Sequence, residues 1–194
     1  GMGAVSPVSF ADKDFMKKVE DQVIKRTVDG IQKENLDYKG FIFAGLMNVE
    51  GNPFVIEYNV RMGDPETQVV IPRIKNDLLA IINDCLESNL EDVTLDIDDR
   101  FVTTVILAAN GYPNNYNKGD EIGNLSEENN TKIFHAGTKS LDDKILSNGG
   151  RVLACTGFGN SINEALTNSY KIAIKISWNN KLSLIHISEP TRLG

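Results

Sequence analysis

The sequence predicts an α+β protein in two parts. Three observations carry that expectation. Apolar residues at helical spacing run over positions 11 to 35. A hairpin pattern fills positions 40 to 60. Beyond position 100 the chain reads as short strands closed by one capped helix. The 194 residues suffice for one large domain or two small ones. A net charge of −7 argues against partners such as nucleic acid or an anionic membrane. No apolar run reaches the length of a membrane span, and no secretory signal opens the chain.

Residues 11 to 35 predict a helix, with Phe15, Met16, Val19, Val23, Val28 and Ile31 inward and Lys17, Lys18, Lys25 and Arg26 in water. Gly30 weakens its last turn. The basic residues between Lys13 and Lys33 read as a solvated face rather than a nucleic-acid patch. Gly40 to Val49 is an apolar strand. Glu50-Gly51-Asn52 has hairpin-turn chemistry, and Pro53 to Val60 is the returning strand. Pro65 suits the first position of a helix, with Asp64 before it as N-cap. Asn76 or Asp77 caps a helix running to about Asn89, whose stripe is Leu78, Leu79, Ile81, Ile82, Cys85 and Leu86.

Six acids in the fourteen residues from Glu87 to Arg100 mark a domain boundary, placed near Glu91. Phe101 to Ala109 and Lys132 to Thr138 are strands, with a turn at Gly111-Tyr112-Pro113. Asn148-Gly149-Gly150 is a hairpin-type turn into a strand from Arg151 to Phe158. Ser161 and Glu164 form a capping box for a last helix, with Ile162, Ala165, Leu166, Ser169, Ala173 and Ile176 inward. Cys85 and Cys155 are too few for a disulfide framework, lack metal-ligand spacing, and read as buried thiols of a reducing cytoplasm. His135 and Trp178 read as packing residues.

The chemistry concentrates in Glu57-x-Asn59-x-Arg61. Alternate residues of a strand share a face, so Glu57, Asn59 and, if the strand continues, Arg61 line up roughly 6–7 Å apart. A carboxylate and a carboxamide oxygen suit a hard divalent cation that carries phosphates. A guanidinium can fork onto a phosphoryl or carboxylate group. The bland alternative is a strand with one solvated face. The turn Gly63-Asp64-Pro65 follows, and reads either as helix capping or as backbone and carboxylate set against a small substrate.

The string from Val55 to Gln68, with its Gly63-Asp64-Pro65-Glu66-Thr67-Gln68 core, resembles the signature of the phosphoribosylamine–glycine ligase family, ATP-grasp enzymes of purine biosynthesis. Gly1-Met2-Gly3-Ala4-Val5-Ser6-Pro7 is similar to a glycine-rich loop of that family, with Val5 where Tyr is usual. Gly40-Phe41, Gly45-Leu46-Met47, Phe134-His135-Ala136-Gly137-Thr138 and Asn148-Gly149-Gly150-Arg151-Val152-Leu153 also match. The resemblance runs to about residue 180.

The resemblance implies that residues 1–90 are the second half of an ATP-grasp domain, an antiparallel sheet with helices. Residues 91–181 would be a small β-rich domain like the rudimentary single-hybrid domain of that superfamily. It implies ATP-dependent joining of glycine to 5-phosphoribosylamine through a glycyl phosphate. Glu57 and Asn59 would hold Mg²⁺ or Mn²⁺, and Arg61 would act on the phosphoryl group or the glycine carboxylate. Arg61, Gly63, Asp64 and Pro65 would meet substrate. The family's N-terminal half, which supplies the adenine pocket, would be this chain's partner. The parent is expected to be a cytoplasmic monomer, and this piece alone is expected to be inactive and to self-associate through uncovered apolar surface. Two alternatives stand: another ATP-grasp ligase or carboxylase with the same polar row, and a fragment that only binds metal weakly. Residues 182–194, including His186, look like translated adapter or vector sequence. Gly1 is either a tag scar before Met2 or a native residue of a glycine-rich turn.

Overall fold

The computed structural model describes residues 1–179 and 181–183. The expected foreign tail lies outside the described residues from position 184 on, and His186 with it. Leu182 and Ser183, the first two residues of that stretch, lie in a strand described below.

In chain order the first element is a strand, β1 (Gly3–Ser6), where sequence pattern offered only a glycine-rich loop. The long helix starts at the N-cap Asp12, whose carboxylate accepts from the Phe15 amide at 2.8 Å. It is three pieces: α1 (Lys13–Val19), a wider π-helical turn (Glu20–Ile24) and α2 (Lys25–Lys33). Phe15, Val19 and Val23 are buried, but Met16 and Val28 are exposed, so the inward stripe is narrower than expected. The wide turn takes up an extra residue, and Thr27 rather than Val28 continues the four-residue spacing. The Thr27 hydroxyl donates to the Val23 carbonyl at 2.7 Å.

The hairpin forms as β2 (Phe43–Val49) and β3 (Asn52–Asn59). Glu50 and Gly51 both take positive φ, 50° and 75°, as a two-residue primed turn requires. β2 begins three residues later than Gly40, and β3 stops short of Arg61. Next come α3 (Thr67–Val70), a 3₁₀ turn (Ile71–Arg73) and α4 (Leu78–Glu87). Asp77 caps α4, accepting from the Leu79 amide at 2.8 Å and the Ala80 amide at 3.3 Å. Its apolar stripe is not buried: Leu79 and Leu86 are exposed. A second 3₁₀ turn (Leu90–Asp92) follows.

The β-rich stretch holds β4 (Phe101–Ala109), β5 (Thr131–His135), β6 (Thr138–Leu141), β7 (Lys144–Ser147) and β8 (Arg151–Gly159). Then come α5 (Ile162–Lys175) and β9 (Lys181–Ser183). The β6–β7 hairpin was not foreseen. Its turn is Asp142-Asp143, both at positive φ, a pair less diagnostic than Asn-Gly. Asn148-Gly149-Gly150 is not a hairpin turn, because β7 pairs with β6 while β8 pairs with β4 and β5.

Contacts divide the chain into two compact units interleaved in sequence. The first comprises Gly1–Ser6, Asp64–Arg73 and the described residues from Asp99 on. The second comprises Pro7–Gly63 and Ile74–Asp98.

The first unit is built on an antiparallel sheet in the order β1-β4-β8-β5, with β9 also on β4. Nearly every residue of β4 and β8 is buried, the threonines Thr103, Thr104 and Thr156 included. Leu107, Val152, Leu153, Cys155, Ile172, Ile176 and Trp178 form the main core cluster, as expected for Trp178. α5 starts at Ser161, whose hydroxyl accepts from the Glu164 amide at 3.2 Å. The reciprocal bond of the capping box, Glu164 back toward Ser161, goes instead to the Asn160 amide at 2.7 Å. α5 lies so close to β8 that a Cβ on Gly157 would sit 2.4 Å from the Ala165 carbonyl oxygen. The strand threonines are satisfied within the core, with the Thr103 and Ser169 hydroxyls 2.6 Å apart and Thr156 donating to Thr104 at 2.9 Å.

The second unit is the α1–α2 helix, the β2–β3 hairpin and α4. The Lys18 ammonium donates to the Gly51 carbonyl and, at 3.1 Å, to Asn52, fixing the hairpin turn to α1. Among the described residues, no helix is long and apolar enough to cross a membrane.

Candidate functional site

The polar row sits at the end of β3 in the second unit. Asn59 Nδ2 donates to Glu57 Oε1 at 3.1 Å, so the two side chains project from the same face. Glu57 is exposed and Asn59 half-buried. Neither is sealed in apolar packing. Their bond leaves Asn59 Oδ1 and the second Glu57 oxygen as hard donors on one side of the ribbon.

Two local features place Glu57. The register of β2 on β3 slips between Gly45 and Leu46, so Gly45 faces Glu57 while Leu46 faces Val55. Ile56 is the extra residue of the bulge, and bulges re-aim the side chains beside them. Gly45 supplies the room, because a Cβ there would lie 3.1 Å from Glu57 Cγ. The sequence showed Gly45 only as part of a matching string.

Arg61 does not extend the row along a strand. β3 ends at Asn59, the chain bends at Val60–Arg61, and Arg61 is exposed with Nη1 donating to the Met62 carbonyl at 3.1 Å. Among the described residues, no group of three or more His, Cys, Asp or Glu could hold a metal ion by itself. Two oxygen donors suit a cation that takes its remaining ligands from a phosphate-bearing substrate. Glu57 and Asn59 therefore fit the expected metal and do not form a closed cage.

The second unit also holds an apolar cavity of about 490 Å³, walled by Phe41, Ile81, Ile82, Cys85, Leu86 and Leu95. No acid or hydroxyl lines it, and it is separate in character from the polar row. Cys85 is half-buried there, not buried as expected.

Gly63 closes the second unit and is buried. Asp64 and Pro65 open the part of the chain that packs with the first unit, and Pro65 is buried. Asp64 is not the N-cap of the next helix. That position belongs to Glu66, and no side chain caps α3. The Asp64 carboxylate is engaged elsewhere. Oδ2 accepts from Arg151 Nη2 at 2.6 Å, and Oδ1 accepts from Gln68 Nε2 at 3.0 Å. Arg151 lies 87 residues downstream, and no spacing rule could have joined it to Asp64. His135 is exposed, with Nδ1 3.0 Å from the Thr138 hydroxyl. The Cys155 thiol is pushed up to about 12 by burial in the sheet core, which leaves it a packing group.

The chain matches two models of one family. The ATP-grasp (A) domain of phosphoribosylglycinamide synthetase covers residues 1–67, and the C domain of the same enzyme covers residues 102–183. It is 44% identical over 181 residues to a phosphoribosylamine–glycine ligase of Vibrio parahaemolyticus, covering 92% of this chain and 42% of that protein. It is 42% identical over 182 residues to the Escherichia coli enzyme of that name, again covering 92% and 42%. The crystal structure of the Thermotoga maritima phosphoribosylamine–glycine ligase superposes with a TM-score of 0.82 at 36% identity, over 94% of this chain and 45% of that one. A thermophilic biotin carboxylase domain superposes at 0.67 but with 13% identity, over 95% and 41%, which is a likeness of fold alone. The chain thus spans about two fifths of the length of the curated relatives it matches.

Proposed function

The chain belongs to the phosphoribosylglycinamide synthetase family, and from that premise we propose that it carries the metal and substrate-turn portion of an ATP-dependent ligase joining glycine to 5-phosphoribosylamine. In the reaction the glycine carboxylate oxygen attacks the γ-phosphorus of ATP, the bond to the bridging oxygen breaks, and ADP leaves. The amine nitrogen of phosphoribosylamine then attacks the acyl carbon of glycyl phosphate. Inorganic phosphate departs with the carbon–oxygen electron pair, and the nitrogen gives up a proton.

Glu57 and Asn59 hold the cation, Mg²⁺ or Mn²⁺, through the oxygens that their mutual bond leaves available. When bound, the ion would supply positive charge to offset that of the ATP phosphates. Arg61, exposed at the bend after β3, swings from the Met62 carbonyl onto the transferring phosphoryl or the glycine carboxylate. Gly63, Asp64 and Pro65 form the turn that places glycine or the amine. Residues 91–181 act as the β-rich domain of single-hybrid type. Two unpaired thiols suit a reducing cytoplasm. The rest of the parent enzyme is the missing partner, and the exposed apolar faces of β3 and α4 favour self-association of this chain alone.

The observation that carries the reading is the Glu57–Asn59 pair on one face of β3, in a chain of this family. A chimera tests it, with this chain replacing the matching region of the Escherichia coli relative. ADP release dependent on both glycine and phosphoribosylamine is expected, while the 194-residue chain alone stays inactive. Glu57→Ala in the chimera should lower turnover by about a hundredfold or more with the fold intact. Unchanged Mg²⁺ dependence in that variant would remove Glu57 from the metal site. Turnover by the lone chain would refute its inactivity.

A further inference from the structure

We propose that Arg151 is a positioning residue that clamps the N-terminal Gly1 backbone to the Asp64–Pro65 turn and so fixes the turn that meets substrate. The proposal rests on the functional reading above for its catalytic consequence, but the clamp itself stands on the geometry. Arg151 Nη1 donates to the Gly1 carbonyl at 3.0 Å and to the Asp64 carbonyl at 2.9 Å, and Nη2 reaches Asp64 Oδ2 at 2.6 Å. One planar group thus ties together two segments 63 residues apart in sequence.

The mount is rigid. Arg151 is the first residue of β8, an inner strand, and its own carbonyl accepts from the Gly137 amide at 2.9 Å. The neighbouring Gly150 carbonyl accepts from Ala109 at 2.8 Å. The clamped segments also touch, since a Cβ on Gly1 would stand 2.7 Å from Pro65 Cδ. β1 just beyond is held to β4, with Met2 accepting from the Ile106 amide at 3.0 Å.

Gln68 completes the arrangement. Its Nε2 occupies Asp64 Oδ1, so each Asp64 oxygen already accepts a bond. Asp64 is thus held through both oxygens, and on this proposal its part is to keep the turn in place. The Arg151 side chain is 24% exposed against 48% for Asp64, so water competes poorly for the guanidinium. Lysine cannot replace the fork, because a point-like ammonium cannot serve two carbonyls and a carboxylate in this plane.

Two measurements test the clamp. In the 194-residue chain, Arg151→Gln should raise hydrogen exchange by about tenfold or more at amides of residues 2–4 and 66–68, with β5 and α5 unchanged. Both segments must respond, and a response confined to one or absent from both overturns the proposal. If Arg151→Gln fails to fold, Arg151→Lys and Asp64→Asn supply the same measurement. In the chimera, Arg151→Gln and Asp64→Asn should each raise the KM for glycine or phosphoribosylamine, and the double variant should be no worse than the poorer single one. Multiplying effects would mean that Arg151 acts on substrate directly, and would overturn the positioning role. An inactive parent chimera would sink the functional reading, while the exchange result would still decide the clamp.

Discussion

The two units differ in what holds them. In the first, Leu107, Leu153, Ile172 and Ile176 are at most 1% exposed, and β4 and β8 are buried along almost their whole length. In the second, the buried hydrophobics are Phe15, Val19 and Val23 on one helix, while Ile56, Val60, Leu79 and Leu86 stand 57% to 71% exposed. Here the two-stranded ribbon and its helices leave much of their apolar surface uncovered. The Glu57–Asn59 pair belongs to the poorly filled unit. Its geometry is therefore set by local devices (the bulge, Gly45 and the Asn59–Glu57 bond) rather than by packing pressure. The Asp64 turn, by contrast, is gripped from a strand of the well-filled sheet.

The sharpest way to break this contrast uses one thiol from each unit. Cys85 is half-buried on the wall of the apolar cavity, whereas Cys155 is fully buried with its thiol pushed up to about 12. A thiol reagent should label Cys85 in the native chain and reach Cys155 only through global opening. The expected rate ratio is about a thousandfold or more, followed by mass spectrometry of peptides. Comparable rates would mean that the first unit is no better protected than the second.

A smaller effect sharpens the same point. Leu153→Ala should cost about 2–5 kcal/mol, because it deletes a wholly buried side chain from a sheet packed on both faces. Leu86→Ala, at a site 57% exposed, should stay within about 0.5 kcal/mol. Denaturant midpoints of the two variants decide it. An equal loss at Leu86 would show that the second unit carries a core its exposures do not reveal.

What the sequence made legible follows the same division. β4, β8 and α5 could be read because stretches rich in apolar and β-branched residues, the turns that flank them and a Ser-x-x-Glu cap are strong local signals. The hairpin could be read from Glu50-Gly51, and the Glu57–Asn59 pairing from strand alternation. Alternation failed two residues later, at Arg61, because nothing in the spacing says where a strand stops. Asp64 looked like a helix cap because local pattern sees only the following proline. Its actual partner, Arg151, is set by tertiary contact. The β1 strand was hidden among glycines, which carry no periodicity. The β6–β7 turn was hidden in an Asp-Asp pair.

The smallest expected effect concerns the helix of the second unit. Asp21 accepts from Lys17 and Lys25, each at 2.8 Å, and these hydrogen bonds lower its carboxyl from the usual range to about 2. A folded-state value below the unfolded one means that the unfolded chain binds the proton more readily. The carboxylate's support for the helix is then fully present above about pH 4 and is lost as the pH falls through 2. All three groups are exposed, so the contribution is modest and screened by salt. Between pH 4 and 2 the helical circular dichroism should fall slightly more in the native sequence than in Asp21→Asn, and the difference should vanish in about 1 M salt. The sheet unit has acids of the same kind. Glu127 is lowered chiefly by the Ile133 amide and Glu128 by Lys171 and Lys175. Those acids sit beside a filled core, so the same protonation there should leave the strands paired. If Asp21→Asn titrates like the native chain, the helix does not depend on its ion pairs, and the contrast between a packed unit and a locally propped one loses its electrostatic half.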